Sequence, residues 1–194
     1  MAPKMRFRYP PMCALPRLCL LLSLTVFVSR GATLEQMSLD ELIRQSTSVV
    51  LGQVGSQRTV QEGALIYTLH RLKVLKHWKG QLFAETEVAL PGGSIGSLSQ
   101  RFSGVPHLET GSEFVVFLWR GPSGRTQITG LSQGLFALHR GADGRVILRR
   151  EPGTDVVLAP GSGARVQNPA VEMPLDELVS RIYRVLGAGE APAP

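Results

Sequence analysis

The stretch from Ala64 to Lys79 constrains the fold more than any other segment. Leu65, Tyr67 and Leu69 alternate on one parity, and Leu72 and Val74 alternate on the other. Period-two alternation marks a half-buried strand. The parity switch near His70-Arg71 calls for a β-bulge or a strong bend, because apolar side chains must stay on the buried face. A long bent strand of this kind serves two sides of a small barrel.

The neighbouring segments fit a mainly β chain. Val49 to Val54 and Glu85 to Leu90 read as strands. Glu113 to Trp119 (EFVVFLW) is apolar on both parities, as a central strand buried on two faces must be. Thr126 to Thr129, Leu135 to His139 and Val146 to Leu148 follow, the last two joined by an Asp143-Gly144 hairpin turn. A short helix starts at Ser38, with Glu41 in the capping-box position. A second helix spans 174–187, with Pro174 in its first turn, Gly187 at its end and an apolar stripe of Leu175, Leu178, Val179, Ile182 and Leu186. Residues 151–173, rich in Gly and Pro, read as a linker with one short strand at Val156–Leu158, and 188–194 as a disordered tail.

The N-terminus bounds location. Lys4, Arg6, Arg8 and Arg17 precede the apolar run Leu18 to Val28. That run is too short to span a bilayer, which takes about 20 residues. It reads as a secretory signal peptide over 1–31, cut after Gly31, and places the mature chain in a periplasm or outside the cell with no stable membrane span. Cleavage removes five basic residues and no acidic ones, so the 194-residue chain of charge +6 becomes 163 residues at +1. A nucleic-acid partner is therefore not expected. Cys13 and Cys19, the only cysteines, leave as well. The mature chain, with its β-barrel domain and leading helix expected over 32–150, must stand on its core, without disulfides or thiolate chemistry; a chain of about 160 residues buries roughly 70% of its unfolded surface.

Several motifs lack their chemical context. Gly92-Gly93-Ser94-Ile95-Gly96 and Gly130-Leu131-Ser132-Gln133-Gly134 both match G-x-S-x-G. A nucleophile elbow needs a helix after its serine, and neither match has a helical pattern behind it. No Gly-Lys-Ser/Thr follows the first match, so no phosphate cradle is read there. His70, His77, His107 and His139 lack metal-ligand spacing, and His107 with Glu109 would need a third partner. No catalytic, metal or cofactor site is expected. Lys73, Lys76, His77, Trp78 and Lys79 read as a strand end with solvated lysines. The connection from Pro91 to Gly111 is longer than about 15 residues, a length usually tied to function or flexibility. Its Arg101, Phe102, His107 and Glu109 make it the candidate binding loop.

Three segments carry a family resemblance: Ser48 to Val54, Tyr67 to Leu75 ending at Lys79-Gly80, and Gly111 to Leu118. Their order is similar to the netrin-like domains, the group containing the tissue inhibitors of metalloproteinases. With Gly130 to Phe136, the layout also resembles a group of exported bacterial proteins. The resemblance covers about residues 47–139. It implies an OB-like five-stranded antiparallel barrel, here with a short N-terminal helix and a C-terminal helix. Netrin-like inhibitors place a disulfide-bonded N-terminal cysteine on the protease zinc; the mature chain has none, so that mechanism does not carry over. The expected function is non-enzymatic binding of an exported protein or envelope component. The alternatives are protease inhibition without a cysteine, and a serine hydrolase using Ser132 or Ser94.

Overall fold

The computed structural model describes residues 33–153 and 156–187. The expected signal peptide and tail lie outside them. Strand β1 (Thr33–Glu35) leads into helix α1 (Leu39–Gln45), whose Ser38 and Glu41 form the reciprocal capping box. Then follow β2 (Ser48–Glu62), β3 (Leu65–Lys79), β4 (Glu85–Pro91), β5 (Gly93–Ile95), β6 (Leu98–Gln100) and β7 (Glu113–Arg120). After these come β8 (Thr126–Ile128), β9 (Leu135–Arg140), β10 (Val146–Arg150), β11 (Val156–Leu158), β12 (Arg165–Val166) and β13 (Val171–Pro174). Helix α2 (Leu175–Leu186) closes the described chain, and Gly187 ends it in the left-handed conformation.

The fold is mainly β. Eight strands form one antiparallel sheet in the order β13-β10-β9-β7-β2-β3-β4, with β8 also paired to β7. Strands β1, β11 and β12 form a second small sheet, and β5-β6 a hairpin. The expected five-stranded closed barrel is not present. Strand β8 lies alongside β4 but no hydrogen-bonded ladder joins them, so the sheet curls without closing. The reason is local: β8 is only three residues long before Gly130 to Gly134 redirect the chain. Residues 151–173, expected as a linker, hold β11 at the expected Val156–Leu158 and also β12 and β13, and β11 pairs in parallel with β1.

The expected irregularity near His70-Arg71 is present in the ladder, but it is carried by the partner strand. Ile66, His70 and Leu72 are all buried and share one parity, so β3 runs through His70-Arg71 without a slip. The extra residue near that point belongs to β2: Val54 pairs with Leu72 and Gln57 with His70, so three residues of β2 advance against two of β3. Two further shifts place the extra residue in β3, between Val74 and Lys76 and between His77 and Lys79. Tyr67, on the opposite parity, is buried because the Arg125 guanidinium lies 4.2 Å from its ring centre while ion-pairing with Glu62. That contact ties the tip of the β2-β3 hairpin to the β7-β8 turn.

Two cores flank the shared strands. Val49, Leu51, Val115 and Phe117 face α1 and α2 together with Leu42, Ile43, Phe136, Leu148, Leu178 and Ile182. Val50, Val54, Val116 and Leu118 face the other way, into a core with Leu72, Val88, Leu90, Leu108 and Ile128. This explains why Glu113 to Trp119 is apolar on both parities. Lys79, expected to be solvated, donates from Nζ to the carbonyls of Ile43 (2.5 Å) and Arg44 (2.9 Å), capping the C-terminus of α1. Gly52 is buried with the Leu72 side chain against it; a Cβ there would come within 2.5 Å of Leu72 Cγ. Gly52→Ala is therefore expected to lower stability by about 1–3 kcal/mol through overpacking, measured as a shift in the urea midpoint at unchanged slope.

Candidate functional site

The long connection is folded onto the second core. Its first half is the β5-β6 hairpin, pinned by Gln100: the Gln100 side chain accepts from Ile66 N–H (2.8 Å) and donates to Ala64 C=O (2.7 Å). Gly92 adopts φ 104°, and a Cβ there would sit 3.0 Å from the Gln100 carbonyl oxygen, so only glycine lets the two backbones approach. The second half is clamped in its middle and at its end. Leu108 is 4% exposed within the second core, and Val105 packs beside it. Gly111 N–H donates to Val54 C=O (2.7 Å), and Val54 N–H donates to Ser112 C=O (3.0 Å).

On this clamped loop the four candidate residues are not equivalent. Phe102 is half-buried and lies beside Gly92. Arg101, His107 and Glu109 are exposed, and among the described residues none of their side chains makes a hydrogen bond or ion pair. The structure brings them onto one loop but not into a shared contact. Strands and turns thus present three unpartnered polar groups on a backbone that the core holds in place.

His70 lies beneath this loop. It is buried on β3, and its Nδ1 has no hydrogen-bond partner. Burial pushes the imidazole below its ordinary pKa, and the neighbouring His107 adds to the shift. The folded protein then binds this proton less readily than the unfolded chain does. Stability is fully present above the ordinary histidine value, near 6.5, and falls as the pH drops below it.

The two serine motifs have structural roles. Ser94 Oγ donates to Ser99 Oγ across the β5-β6 hairpin (3.0 Å). Gly130 to Gly134 are an insertion within a strand. Leu118 pairs with Ile128 and Val116 with Leu135, so two residues of β7 face seven of the partner. Gly134 has the Thr129 carbonyl oxygen 2.2 Å from where a Cβ would stand. Ser132 Oγ accepts from Asn168 Nδ2 (3.2 Å), and His139 is on β9, in register with Ile147. Sequence reasoning missed Gln133, 1% exposed: its Nε2 donates to Glu35 C=O (3.0 Å) and its Oε1 accepts from Met37 N–H (2.8 Å). A polar residue between two glycines carries no periodic signal, and its partners are almost a hundred positions away.

A concavity opens at the unclosed β4-β8 seam. It has a volume of about 660 Å³ and is walled by the start of β2, the β3-β4 turn, the start of β4 and the β7-β8 turn. No described group of three or more His, Cys, Asp or Glu residues converges as a metal site would require. Among the described residues no helix is long and apolar enough to cross a membrane. Comparison with protein-family models, curated proteins and solved structures gave no match to the chain.

Two outcomes follow. Gln133→Leu strands the Glu35 carbonyl and the Met37 amide, so stability is expected to fall by about 1–3 kcal/mol, with faster hydrogen exchange at Met37. His70→Gln removes the buried imidazole, so the drop in denaturation midpoint between pH 7 and pH 5 is expected to be shallower than in the parent chain. An equal slope in both proteins would assign the acid sensitivity elsewhere.

Proposed function

We propose that this chain is an exported, non-enzymatic binding domain that meets an exported protein partner through the loop over residues 101–110. The supporting observation is the clamp at Leu108. Its side chain is buried in the second core, while His107 and Glu109 on either side are exposed and make no hydrogen bond or ion pair with a described residue. A loop held rigid by its own core binds with less ordering cost than a free one, and exposed polar groups without internal partners are free for another surface. The basic and apolar start of the chain supports export to a periplasm or beyond it. Inhibition of an exported protease is the runner-up and rests on the netrin-like resemblance.

The test compares immobilised residues 32–194 with the variant carrying Arg101→Ala, His107→Ala and Glu109→Ala. All three positions are exposed, so the variant is expected to keep the parent melting temperature within a few degrees. The host's exported fraction is passed over both. The expected result is a stoichiometric protein retained by the parent and lost from the variant. Identical retention by both removes the loop as the contact surface. A retained protease, inhibited by the parent and not by the variant, would raise the inhibitor reading to first place.

A further inference from the structure

We propose that His70 and His107 form an acid-operated latch that releases the loop over residues 101–110 from the second core. His70 lies on β3 at 5% exposure, opposite Val88 of β4 and two positions from Leu72 on the same face. Val88 and Leu72 belong to the second core, and so does Leu108 of the loop. The extra residue of β2 falls between Val54 and Gln57, and Gln57 is the residue in register with His70. The end of the loop is fastened to that same irregularity: Thr110 Oγ1 donates to Gly55 C=O (3.2 Å) and Gly111 N–H to Val54 C=O (2.7 Å). The loop therefore lies over His70 and is held by the residues that flank it. His107, next to Leu108, is exposed.

The closed loop disfavours a charged His70. Its Nδ1 is buried and has no hydrogen-bond partner among the described residues. An imidazolium donates from both ring nitrogens, and a buried charge without a partner is costly. The charged side chains on the strands around it do not compensate. Arg71 and Lys73 of β3, Arg58 of β2, and Glu85 and Glu87 of β4 occupy the opposite face of the ladder, where Arg58 pairs with Glu87 and Arg71 with Glu85. Strands β5 and β6 carry no charged residue. On the loop Arg101, His107 and Glu109 are exposed, and of the three it is His107 that acts on His70, as a second positive charge once protonated. Burial and then His107 hold the His70 imidazole below its ordinary pKa. Lifting the loop gives His70 to water and restores its proton affinity. The open form thus binds a proton more readily than the closed one, and acid drives opening once the pH falls below the ordinary histidine value, about 6.5. The consequence for a partner rests on the proposed role of this loop as the contact surface: capture near neutral pH and release in acid.

The experiment follows backbone amide exchange in residues 32–194 between pH 7 and pH 5, each rate taken relative to that of an unstructured peptide at the same pH. It needs no partner, so its outcome is separate from that of the capture test. The Gly111 amide reports the clamp, and the slowest amides of the β2-β7 ladder report global unfolding. Gly111 is expected to exchange faster than the ladder throughout, which marks a local opening. Its protection is expected to fall at least about threefold by pH 5, and by no more than about tenfold per pH unit below the ordinary histidine value. His70→Gln is expected to abolish that fall. His107→Gln, at an exposed position and so expected to fold, is expected to make the total fall smaller; it serves as the second variant should His70→Gln not fold. Protection of Gly111 that does not change with pH, that falls equally in the parent and either variant, or that is lost only together with the ladder, would overturn the proposal. In the capture test, release of the retained protein at pH 5 from the parent but not from His70→Gln is expected. A protein held equally by the parent at both pH values would overturn the regulatory role.

Discussion

The ladder between β2 and β7 is the constraint on which the rest of the molecule depends. Ser48 to Gln53 pair with Leu118 to Glu113 in continuous antiparallel register. Over Val49–Leu51 and Val115–Leu118 both strands are buried on both faces, which commits each of those side chains to one core or the other. A strand pair in that position has no solvent face on which to relax, so a slip of one residue would exchange the two cores completely. Disulfides are absent from everything after Cys19, and this packing alone sets the register. The rings of Phe117 and Phe136, 5.8 Å apart, mark where the helices meet the sheet.

From that ladder the shape of the surface follows in steps. The five-residue insertion at Gly130 to Gly134 splits the second partner of β7 in two. Its first part, β8, leans toward β4 and stops short of pairing, which leaves the seam and its polar cleft. Its second part, β9, turns to pair with β10 and carries the sheet under α2. A chain with the same strands and no insertion would have had a longer β8 to hydrogen-bond to β4. The cleft thus arises from the same residues that resemble a hydrolase motif.

Local signals in the sequence were legible, and long-range ones were not. The capping box at Ser38, the left-handed stop at Gly187, the Asp143-Gly144 turn and the two-faced strand at 113–119 all rest on neighbours within a few positions, and the structure contains each of them. The irregularity of the long hairpin near His70-Arg71 was also legible, but the strand that carries the extra residue, β2, was not. Tyr67 and Leu69 looked inward-facing by alternation; Tyr67 is covered by Arg125, which is distant in sequence. Closure of the sheet failed for the same reason, since it depends on whether β4 and β8 exchange hydrogen bonds, which no periodicity encodes. The candidate loop was found from its length, and its clamp by Leu108 was hidden because a single leucine in a polar loop has no periodic partner. The cleft left no trace in the sequence, being assembled from single residues of four segments.

The central claim is that one doubly buried strand pair holds two cores in register. Native-state hydrogen exchange on residues 32–194 tests it most directly, because the slowest amides report global unfolding. The account predicts that the inter-strand amides of residues 48–53 and 113–118 exchange slowest and with one common free energy, above those of β4, β8 and β13. Two groups of amides, one per core, opening independently while the β2-β7 amides exchange faster than either, would contradict it.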